Sequence, residues 1–262
     1  VTADDFKDII IKGAQRGLPF VLSKLQYSGL RRTKTAFDRT RVNGSHWWHI
    51  PYVTERWNTL ISGDKNKSNI EFITQDVLKN RKEIHLVSIG SGTCAYEIEL
   101  AQKKVFKKIT CIDLSNDSLE KAKWKIDELR LKNINVVCAD IHNYNFHEFF
   151  DVVLFKASLH HFKNVEKLLQ KKISPIIKDN GLLIIDEYVG PNRLQYPKKQ
   201  IKAINEVVQI IPKKYRKIFK TVLYKKSVSG SGIIRMILAD PSECVDSSNI
   251  LPSLHKWFNP II

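Results

Sequence analysis

The strongest constraint on the fold is an alternation of short apolar strands with helical patterns between residues 84 and 187. Helical spacing of apolar side chains recurs at residues 95–104, 116–131 and 164–178. The strand patterns are IHLVSI at 84–89, KITCID at 108–113, INVVC at 134–138, DVVLF at 151–155 and LLIIDE at 182–187. Short apolar strands that alternate with helices are typical of a parallel sheet covered on both faces. The pattern therefore predicts the α/β class with a doubly wound, mostly parallel sheet.

Helical patterns also flank this segment on both sides. Before it, apolar side chains predict helices in residues 2–14, 19–27, 51–61 and 68–78. After it, the stretch beyond Gly190 predicts a helix whose inner face carries Ile201, Ile204, Val207, Val208 and Ile211. We therefore expect a helical cap or lid at residues 1–82 and a core domain at 83–190. Residues 191–262 should add a helix and the last strand or strands to the same domain, on its substrate side.

The formal net charge of +16 is distributed unevenly along the chain. Residues 1–82 hold 15 Lys and Arg against 8 Asp and Glu, residues 83–190 hold 15 of each, and residues 191–262 hold 13 against 4. The positive field therefore arises from the flanks rather than from the core. An anionic substrate is one interpretation. A genome whose base composition favours lysine codons is the other.

The spacing of the cysteines and the length of the apolar runs indicate which cellular compartment to expect. Cys94, Cys111, Cys138 and Cys244 stand alone, without C-x-x-C pairs, so neither a zinc site nor a disulfide framework is predicted, and no metal is expected. We interpret them as buried thiols of a cytoplasmic protein. No run approaches the ~18 apolar residues of a membrane span. The first residues also lack the pattern of a secretory signal.

A glycine-rich turn and two acids predict a binding site at one edge of the sheet. Gly90 and Gly92 lie between the first strand and the next helix, where glycine lets the backbone pass close beneath a ligand. Asp113 ends the second strand, where a carboxylate suits the two hydroxyls of a ribose. Asp140 follows the third strand and suits an adenine amino group. Because the carboxyl ends of parallel strands share one edge, these residues together predict a nucleoside site there.

A dinucleotide site is the first alternative. GSGTCA satisfies the pattern G-x-G-x-x-G/A, so an NAD-dependent oxidoreductase of the same fold class stays open. Two features weigh against it. The glycines begin only at residue 90, behind the predicted cap, and no Tyr-x-x-x-Lys pair follows the fourth strand.

Five consecutive motifs resemble those of class I S-adenosylmethionine-dependent methyltransferases. VSIGSGTCAYEIELA resembles the first motif, CIDLSNDSLEKAK the second-strand acid and its helix, and VCADIHNYNF the adenine-contacting loop. DVVLFKASLHHF resembles the fourth strand with its Leu-His-His, and IIKDNGLLIIDEYVG the fifth-strand motif. The flanks are similar to a bacterial subgroup that acts on small molecules of sugar or natural-product pathways. The resemblance implies a Rossmann-like fold, S-adenosyl-L-methionine as methyl donor, and cofactor contacts from Gly90, Ser91, Gly92, Thr93, Asp113, Leu114, Asp140, Ile141 and Lys156.

Two departures from the family pattern stand out. Cys94 occupies the position of the usual third glycine, which bears on how closely the methionine part of the donor approaches. The family's sheet ends in an antiparallel pair of strands, but only FNPII follows Trp257. The seventh strand is therefore expected to be absent, truncated or replaced by IIRMIL.

The residues after the fourth and fifth strands predict the acceptor side. One of His160 and His161, with His160 preferred, is expected to act as general base for a hydroxyl acceptor. Asp186 and Glu187 end the fifth strand and are expected to orient that histidine or the acceptor. The acceptor pocket is expected to be lined by Trp47, His49, Arg56, Tyr188, Arg193 and Tyr196. Each of these residues also fits a purely structural role, since aromatic side chains of a helical cap often pack in a core.

The favoured function is methyl transfer to an oxygen of a small molecule, and two further alternatives stay open. The basic flanks suit a nucleic-acid methyltransferase. The Asn/Asp-Pro-Pro-aromatic turn of amino-methylating enzymes is replaced here by Phe155-Lys156-Ala157-Ser158, and no cysteine is placed for cytosine chemistry, so this class is not favoured. A module that binds the nucleotide without turnover is the other alternative. The sequence predicts no oligomeric state.

Overall fold

The computed structural model of the protein describes residues 2, 5–7, 10–11, 50–218 and 220–261. These residues fall into two compact units. The sheet unit comprises residues 50–158 and 172–186. The second unit comprises residues 159–171, 187–218 and 220–261, together with the described residues near the start of the chain. The predicted assignment of residues 1–82 as a lid stays a prediction.

The sheet unit contains five parallel strands in the order β3-β2-β1-β4-β5. Their bounds are β1 Ile84–Ile89, β2 Phe106–Asp113, β3 Ile134–Cys138, β4 Phe150–Lys156 and β5 Ile177–Asp186. The chain builds outward from β1 to β3, then returns to place β4 on the other side of β1. This reversal of strand order is the point at which open α/β sheets bind ligands, at the carboxyl ends of the strands. The predicted Rossmann-like, doubly wound parallel sheet is confirmed.

Apolar burial explains why these strands form the centre of the unit. The last four residues of β1, from Leu86 to Ile89, are all buried, and Val152 to Phe155 of β4 are each at most 1% exposed. Such continuous burial needs cover on both faces of the sheet. Part of the cover comes from the segment before β1, because Ile70, Ile73 and Leu78 belong to the same core.

Between residues 50 and 261 the structure defines eight α-helices. They are α1 Pro51–Ser62, α2 Asn69–Phe72, α3 Ala95–Ala101, α4 Asn116–Glu128, α5 Val165–Leu168, α6 Lys198–Ile210, α7 Ile233–Ala239 and α8 Ile250–Trp257. A capping box between Ser68 and Glu71 starts α2, and the Ser115 hydroxyl caps α4. The α2 helix continues as a π-helical turn to Val77, so the predicted helix at 68–78 is present in an altered form.

The predicted helix at 164–178 is shorter than expected. After α5 the chain forms a π-helical turn over Leu169–Ile173 and a 3₁₀ turn over Ser174–Ile176. Pro175 has no backbone N–H to continue a helix. The strand β5 therefore begins at Ile177 rather than at residue 182.

Two further expectations are corrected by the structure. The segment IIRMIL is not a strand but lies in α7, which follows Gly232 and buries Met236. In the part of the chain that the structure describes, the sheet thus has five strands, all parallel, and the one antiparallel pairing is an isolated bridge between Lys217 and Tyr224 outside that sheet. Cys138 is exposed rather than buried, because it ends the edge strand β3. Among the described residues, no helix has the length and apolar character to span a membrane.

Candidate active site

The carboxyl ends of the five strands meet at one edge of the sheet. The register pairs Ile89 of β1 with Ile112 of β2, Asp113 of β2 with Cys138 of β3, and Lys156 of β4 with Asp186 of β5. The parallel order therefore brings the predicted glycine turn, the β2 acid and the charged ends of β4 and β5 to the same side of the sheet unit.

The glycine turn follows β1 directly, and both of its glycines have a left-handed backbone. Gly90 has a φ of 73° and Gly92 a φ of 55°. The Gly90 N–H donates to the Ile112 carbonyl at 2.7 Å, which fixes the turn on β2. A Cβ added to Gly92 would meet no heavy atom within 4 Å. The turn thus leaves open space beside its backbone, as a closely approaching ligand requires.

Cys94 completes this turn in place of the expected glycine. It is the N-cap of α3 and holds a left-handed backbone with a φ of 54°. Its side chain is fully buried, and the thiol donates to the Ser91 hydroxyl at 3.4 Å. Packing of the thiol therefore supports a conformation that is costly for residues with a Cβ.

Asp113 ties the glycine turn to the end of β2. One carboxylate oxygen accepts from the Gly92 N–H at 2.8 Å, and the other accepts from the Ser115 N–H at 2.7 Å. The side chain is only half-buried. A carboxylate has about four lone-pair positions, so each oxygen retains one for a further donor.

Asp140 shapes the loop after β3. Its oxygens accept from the His142 N–H at 2.9 Å and from the Asn143 amide at 3.2 Å, and its side chain is exposed. The neighbouring Ile141 is buried. Three further predicted cofactor residues remain accessible at this edge: Ser91, Thr93 and Leu114.

A polar network at the same edge was not predicted from the sequence. Lys156 forms a short ion pair with Asp186 and lies 5.3 Å from the centre of the Tyr96 ring. The Asn69 amide donates to Asp186 at 3.4 Å, and the Tyr96 hydroxyl donates to Asn69. The sequence gives no local indication that Tyr96 and Asn69 belong to the site. Residues of α3 and α2 meet only when both helices cover the sheet.

Glu97 is a second residue that the sequence did not indicate. Its side chain is buried on α3 and accepts from the Ser88 hydroxyl of β1 at 2.6 Å. Burial raises the pKa of Glu97, and the bond from Ser88 only partly opposes this effect. A buried carboxyl group is thus bonded to β1 two residues before the glycine turn begins.

The turn after β4 is tied to two neighbouring strands. Ala157 has a left-handed φ of 51°, and its N–H donates to the Asp186 carbonyl at 2.8 Å. The Ser158 hydroxyl donates to the Ile89 carbonyl at 2.6 Å. Unfavourable backbone of this kind concentrates at functional sites. The 3₁₀ turn with both predicted histidines follows at once, over Leu159–His161.

In the second unit, His160 and Glu187 form a buried pair. The Nδ1 atom of His160 lies 2.6 Å from Oε2 of Glu187, and their side chains are 11% and 0% exposed. Glu187 also accepts a hydrogen bond from the Leu159 N–H through its Oε1 atom. Burial lowers the pKa of His160, but the hydrogen bond and charge of Glu187 outweigh burial and hold that pKa above its ordinary value.

His161 lies beside His160 and has a different partner. The two rings are 4.1 Å apart between centres, and the Nδ1 atom of His161 lies 3.1 Å from the Ser242 hydroxyl. Burial, followed by the neighbouring His160, lowers the pKa of His161. The predicted preference for His160 over His161 as base stays a prediction.

The residues predicted to line the acceptor pocket have separate environments. Tyr188 packs its ring on Gly190, where any Cβ would overlap it, and shares a hydrogen bond with Tyr196. The Arg193 guanidinium donates to the carbonyls of Asp240 and Glu243 at 3.4 and 3.2 Å. Arg56 is exposed on α1 of the sheet unit. Trp47 and His49 lie outside the described residues.

Comparison with known proteins places these features in context. A family model described as a methyltransferase domain matches residues 80–228. The chain is 35% identical over 158 residues to (S)-coclaurine N-methyltransferase of Papaver somniferum, covering 58% of this chain and 42% of that protein. It is 31% identical over 108 residues to malonyl-[acyl-carrier protein] O-methyltransferase of Priestia megaterium, covering 41% and 38%. The chain thus spans about two fifths of the length of the curated relatives it matches.

A solved structure is similar over a longer part of the chain. It is coclaurine N-methyltransferase bound to N-methylheliamine and SAH, which is 19% identical in sequence. The match covers 71% of this chain and 58% of the other, with a TM-score of 0.42.

Proposed function

Because the chain belongs to the methyltransferase-domain family, we propose that it transfers the methyl group of S-adenosyl-L-methionine to a hydroxyl group of a small molecule. S-adenosyl-L-methionine is the methyl donor of this family, so it replaces NAD, the alternative that the glycine pattern left open. The observation that carries the proposal is the position of Asp113. It links the glycine turn to the end of β2 and keeps lone pairs for the ribose of the donor.

The donor is proposed to lie along the carboxyl edge of the sheet unit. Gly90 and Gly92, with Ser91 and Thr93, would pass beneath its methionine part, and Asp113 would accept from the ribose hydroxyls. Leu114, Asp140 and Ile141 are proposed to surround the adenine. Lys156 has three N–H donors, so its pairing with Asp186 leaves donors for the cofactor.

His160 is proposed to act as the base. Methyl transfer is an in-line displacement: the acceptor oxygen bonds to the methyl carbon, the carbon–sulfur bond breaks, and S-adenosylhomocysteine leaves. The hydroxyl proton goes to Nε2 of His160, and Glu187 orients the ring through Nδ1 and stabilises the resulting positive charge. Tyr188, Arg193 and Tyr196 follow Glu187 in the chain and are proposed to shape the acceptor pocket.

The donor site is tested with Asp113→Asn. The substitution keeps the shape of the side chain but removes the charge, so S-adenosylhomocysteine should bind more weakly by about 1.5–3 kcal/mol, the scale of hydrogen bonds to a charged group. Isothermal titration calorimetry measures the change. Asp127→Asn, at an exposed position on α4, is the matched control and should bind normally. Tight binding of NADH without binding of S-adenosylhomocysteine would contradict the proposed function.

The base is tested with His160→Ala. General base catalysis contributes about 10²–10⁴-fold, so kcat should fall by that factor while the affinity for S-adenosyl-L-methionine stays within a few-fold. His255→Ala, at an exposed position of α8, is the control. The melting temperature separates the alternatives, since a histidine that only packs would lower stability and change the rate only through the folded fraction.

An amine acceptor is the second candidate, and the similarity to an N-methyltransferase favours it. A neutral amine attacks the methyl carbon without first losing a proton, so this reaction depends less on His160. A panel of hydroxyl and amine compounds, followed by release of S-adenosylhomocysteine, distinguishes the two. The excess of basic residues at 191–262 makes anionic members of both classes the first to test.

A further inference from the structure

We propose that His160, His161 and Glu243 of the second unit form a binding site for a divalent transition-metal cation. One potential ligand atom of each side chain lies within 4.8 Å of the other two. Two histidines and one glutamate are also the donor set of zinc enzymes that keep a fourth position open for water or substrate. The inference concerns cation binding and does not depend on the proposed methyl transfer.

The hydrogen bonds around His160 prepare it as a ligand. Glu187 is a carboxylate with no exposed side-chain surface, and it lies 2.6 Å from Nδ1 of His160. An ionised carboxylate only accepts, so Nδ1 carries the proton and the lone pair of the ring is on Nε2. A histidine ligand of a metal commonly donates its other N–H to a carboxylate in this way.

The same reasoning fixes the tautomer of His161. The Ser242 hydroxyl donates to Oδ1 of Asp240 at 2.7 Å, which uses its one hydrogen. At 3.1 Å from His161, the same oxygen must therefore accept the proton of Nδ1. Both imidazoles thus carry their lone pairs on Nε2.

Glu243 supplies the carboxylate and needs only a small movement. Its Oε1 atom lies 3.9 Å from Nε2 of His160. With metal–ligand bonds of about 2.0–2.2 Å, two ligands of a tetrahedral zinc ion lie about 3.4 Å apart. The pair therefore has to close by about half an ångström. Oε1 also accepts from the Cys244 thiol at 3.3 Å, which leaves a lone pair on that oxygen and both on Oε2.

The charges around the two rings favour a cation. Glu187, Glu243 and Asp240 act electrostatically on both histidines. Three carboxylates thus lie near two imidazoles in a chain whose formal net charge is +16. A bound divalent cation would balance most of this local negative charge.

The segment that carries Glu243 is held in place by backbone contacts. The Arg193 guanidinium bonds to the carbonyls of Asp240 and Glu243, and the Arg193 N–H donates to the Cys244 carbonyl at 2.7 Å. The Val245 N–H donates to the His160 carbonyl at 3.1 Å. These bonds join the two parts of the site directly, so the three ligands do not depend on a loose loop.

Zinc titration of the full chain tests the inference. The protein is dialysed against a chelator and then titrated calorimetrically with ZnCl₂ at neutral pH, without methyl donor or acceptor. We expect one zinc ion per chain. Loss of an outer partner of a metal ligand typically costs about 10–100-fold in affinity. Loss of a ligand itself should cost more, so we expect His161→Gln and Glu243→Gln each to weaken zinc binding by at least about 100-fold.

Two controls and a folding check make the result decisive. His255→Gln and Glu206→Gln remove an exposed histidine and an exposed glutamate of the same unit, and should bind zinc like the wild type. Glu243 is partly exposed, so Glu243→Gln is expected to fold even if His161→Gln does not, and circular dichroism checks both. Absence of saturable zinc binding overturns the proposal. Equal affinity in the wild type and Glu243→Gln overturns it as well.

The binding test and the activity test fail independently. Methyl transfer is measured on the zinc-free chain: if that chain is inactive but binds added zinc through these residues, only the proposed function is contradicted. A chain that transfers methyl groups but binds no zinc would contradict only the metal site. When the cation is bound, it would take the Nε2 lone pair of His160, so His160 could not accept the hydroxyl proton in that state.

Discussion

At Gly92, two consequences of the missing side chain can be measured separately. One is the stability gained from an unstrained left-handed backbone, and the other is the space left for a ligand. Its φ is positive and the position of an added Cβ is empty. We therefore expect Gly92→Ala to fold, at a cost of about 1–2 kcal/mol for the left-handed backbone. The new methyl group would lie in the proposed donor site and should weaken S-adenosylhomocysteine binding by about 1–3 kcal/mol, as crowding of a packed site does. Calorimetry and thermal unfolding measure the two effects.

Gly63 provides the matched control for this prediction. It ends α1 with a φ of 78°, and an added Cβ would again meet no atom within 4 Å. Gly63→Ala should show the same loss of stability but normal binding. Equal binding by both variants would mean that the donor does not approach Gly92.

At the scale of elements, Asp151 joins three strands of the sheet. It is the second residue of β4 and accepts from the His85 N–H of β1 and from the Lys178 ammonium of β5, both at 2.9 Å. Partial burial raises the pKa of Asp151, but these bonds and the charge of Lys178 outweigh it and lower the pKa. The unfolded chain therefore binds the proton more tightly than the folded chain.

The sign of the pH dependence follows from that shift. The stabilisation by Asp151 is present above the ordinary pKa of 3.8 and is lost as the pH falls through the lower folded-state pKa. Asp151→Asn should cost about 1 kcal/mol at neutral pH, since one hydrogen bond to a charged group is weakened at a partly exposed site, and little in acid. Urea unfolding at both pH values measures the difference. Asp179→Asn, exposed in β5, should change neither value.

At the scale of the whole molecule, truncation tests the predicted lid. No residue of α1 is buried, whereas Ile70 and Ile73 belong to the core. A chain that begins at residue 64 should therefore keep the sheet unit and bind S-adenosylhomocysteine within a few-fold of the full chain. If the removed segment closes over the donor, turnover should be lost. Loss of folding would instead show that the segment is part of the core.

The truncation also removes Asp5, which contacts other residues of the second unit, so it needs a control. The Asp5 carboxylate accepts from the Gly232 N–H and from Nε of Arg235, both at 2.8 Å. Asp5→Asn in the full chain weakens this contact without removing the lid. A loss of turnover in Asp5→Asn as large as in the truncated chain would assign the effect to the contact rather than to the lid.

The sequence by itself determined the parallel sheet and the glycine turn, because both depend on local chemistry. Alternating strands and helices require cover on two faces, and a left-handed turn after β1 requires glycine. The same local reasoning placed Asp113 at the end of β2. It left IIRMIL open as one of three alternatives for the last strand, since a short apolar run fits a buried strand and a helix equally well, and the structure makes it a helix.

Only the tertiary structure decided which side chains meet. Lys156 reaches Asp186 across the register of β4 and β5, and His160 faces Glu187 and Glu243 from distant parts of the chain. A hydrogen bond requires its atoms to lie within about 3 Å, whereas a shift of one residue in a strand turns a side chain to the opposite face. Sequence spacing does not fix positions to that accuracy. The sequence left open whether Asp186 or Glu187 would contact the histidine, and only the folded chain pairs His160 with Glu187 and brings Glu243 to both histidines.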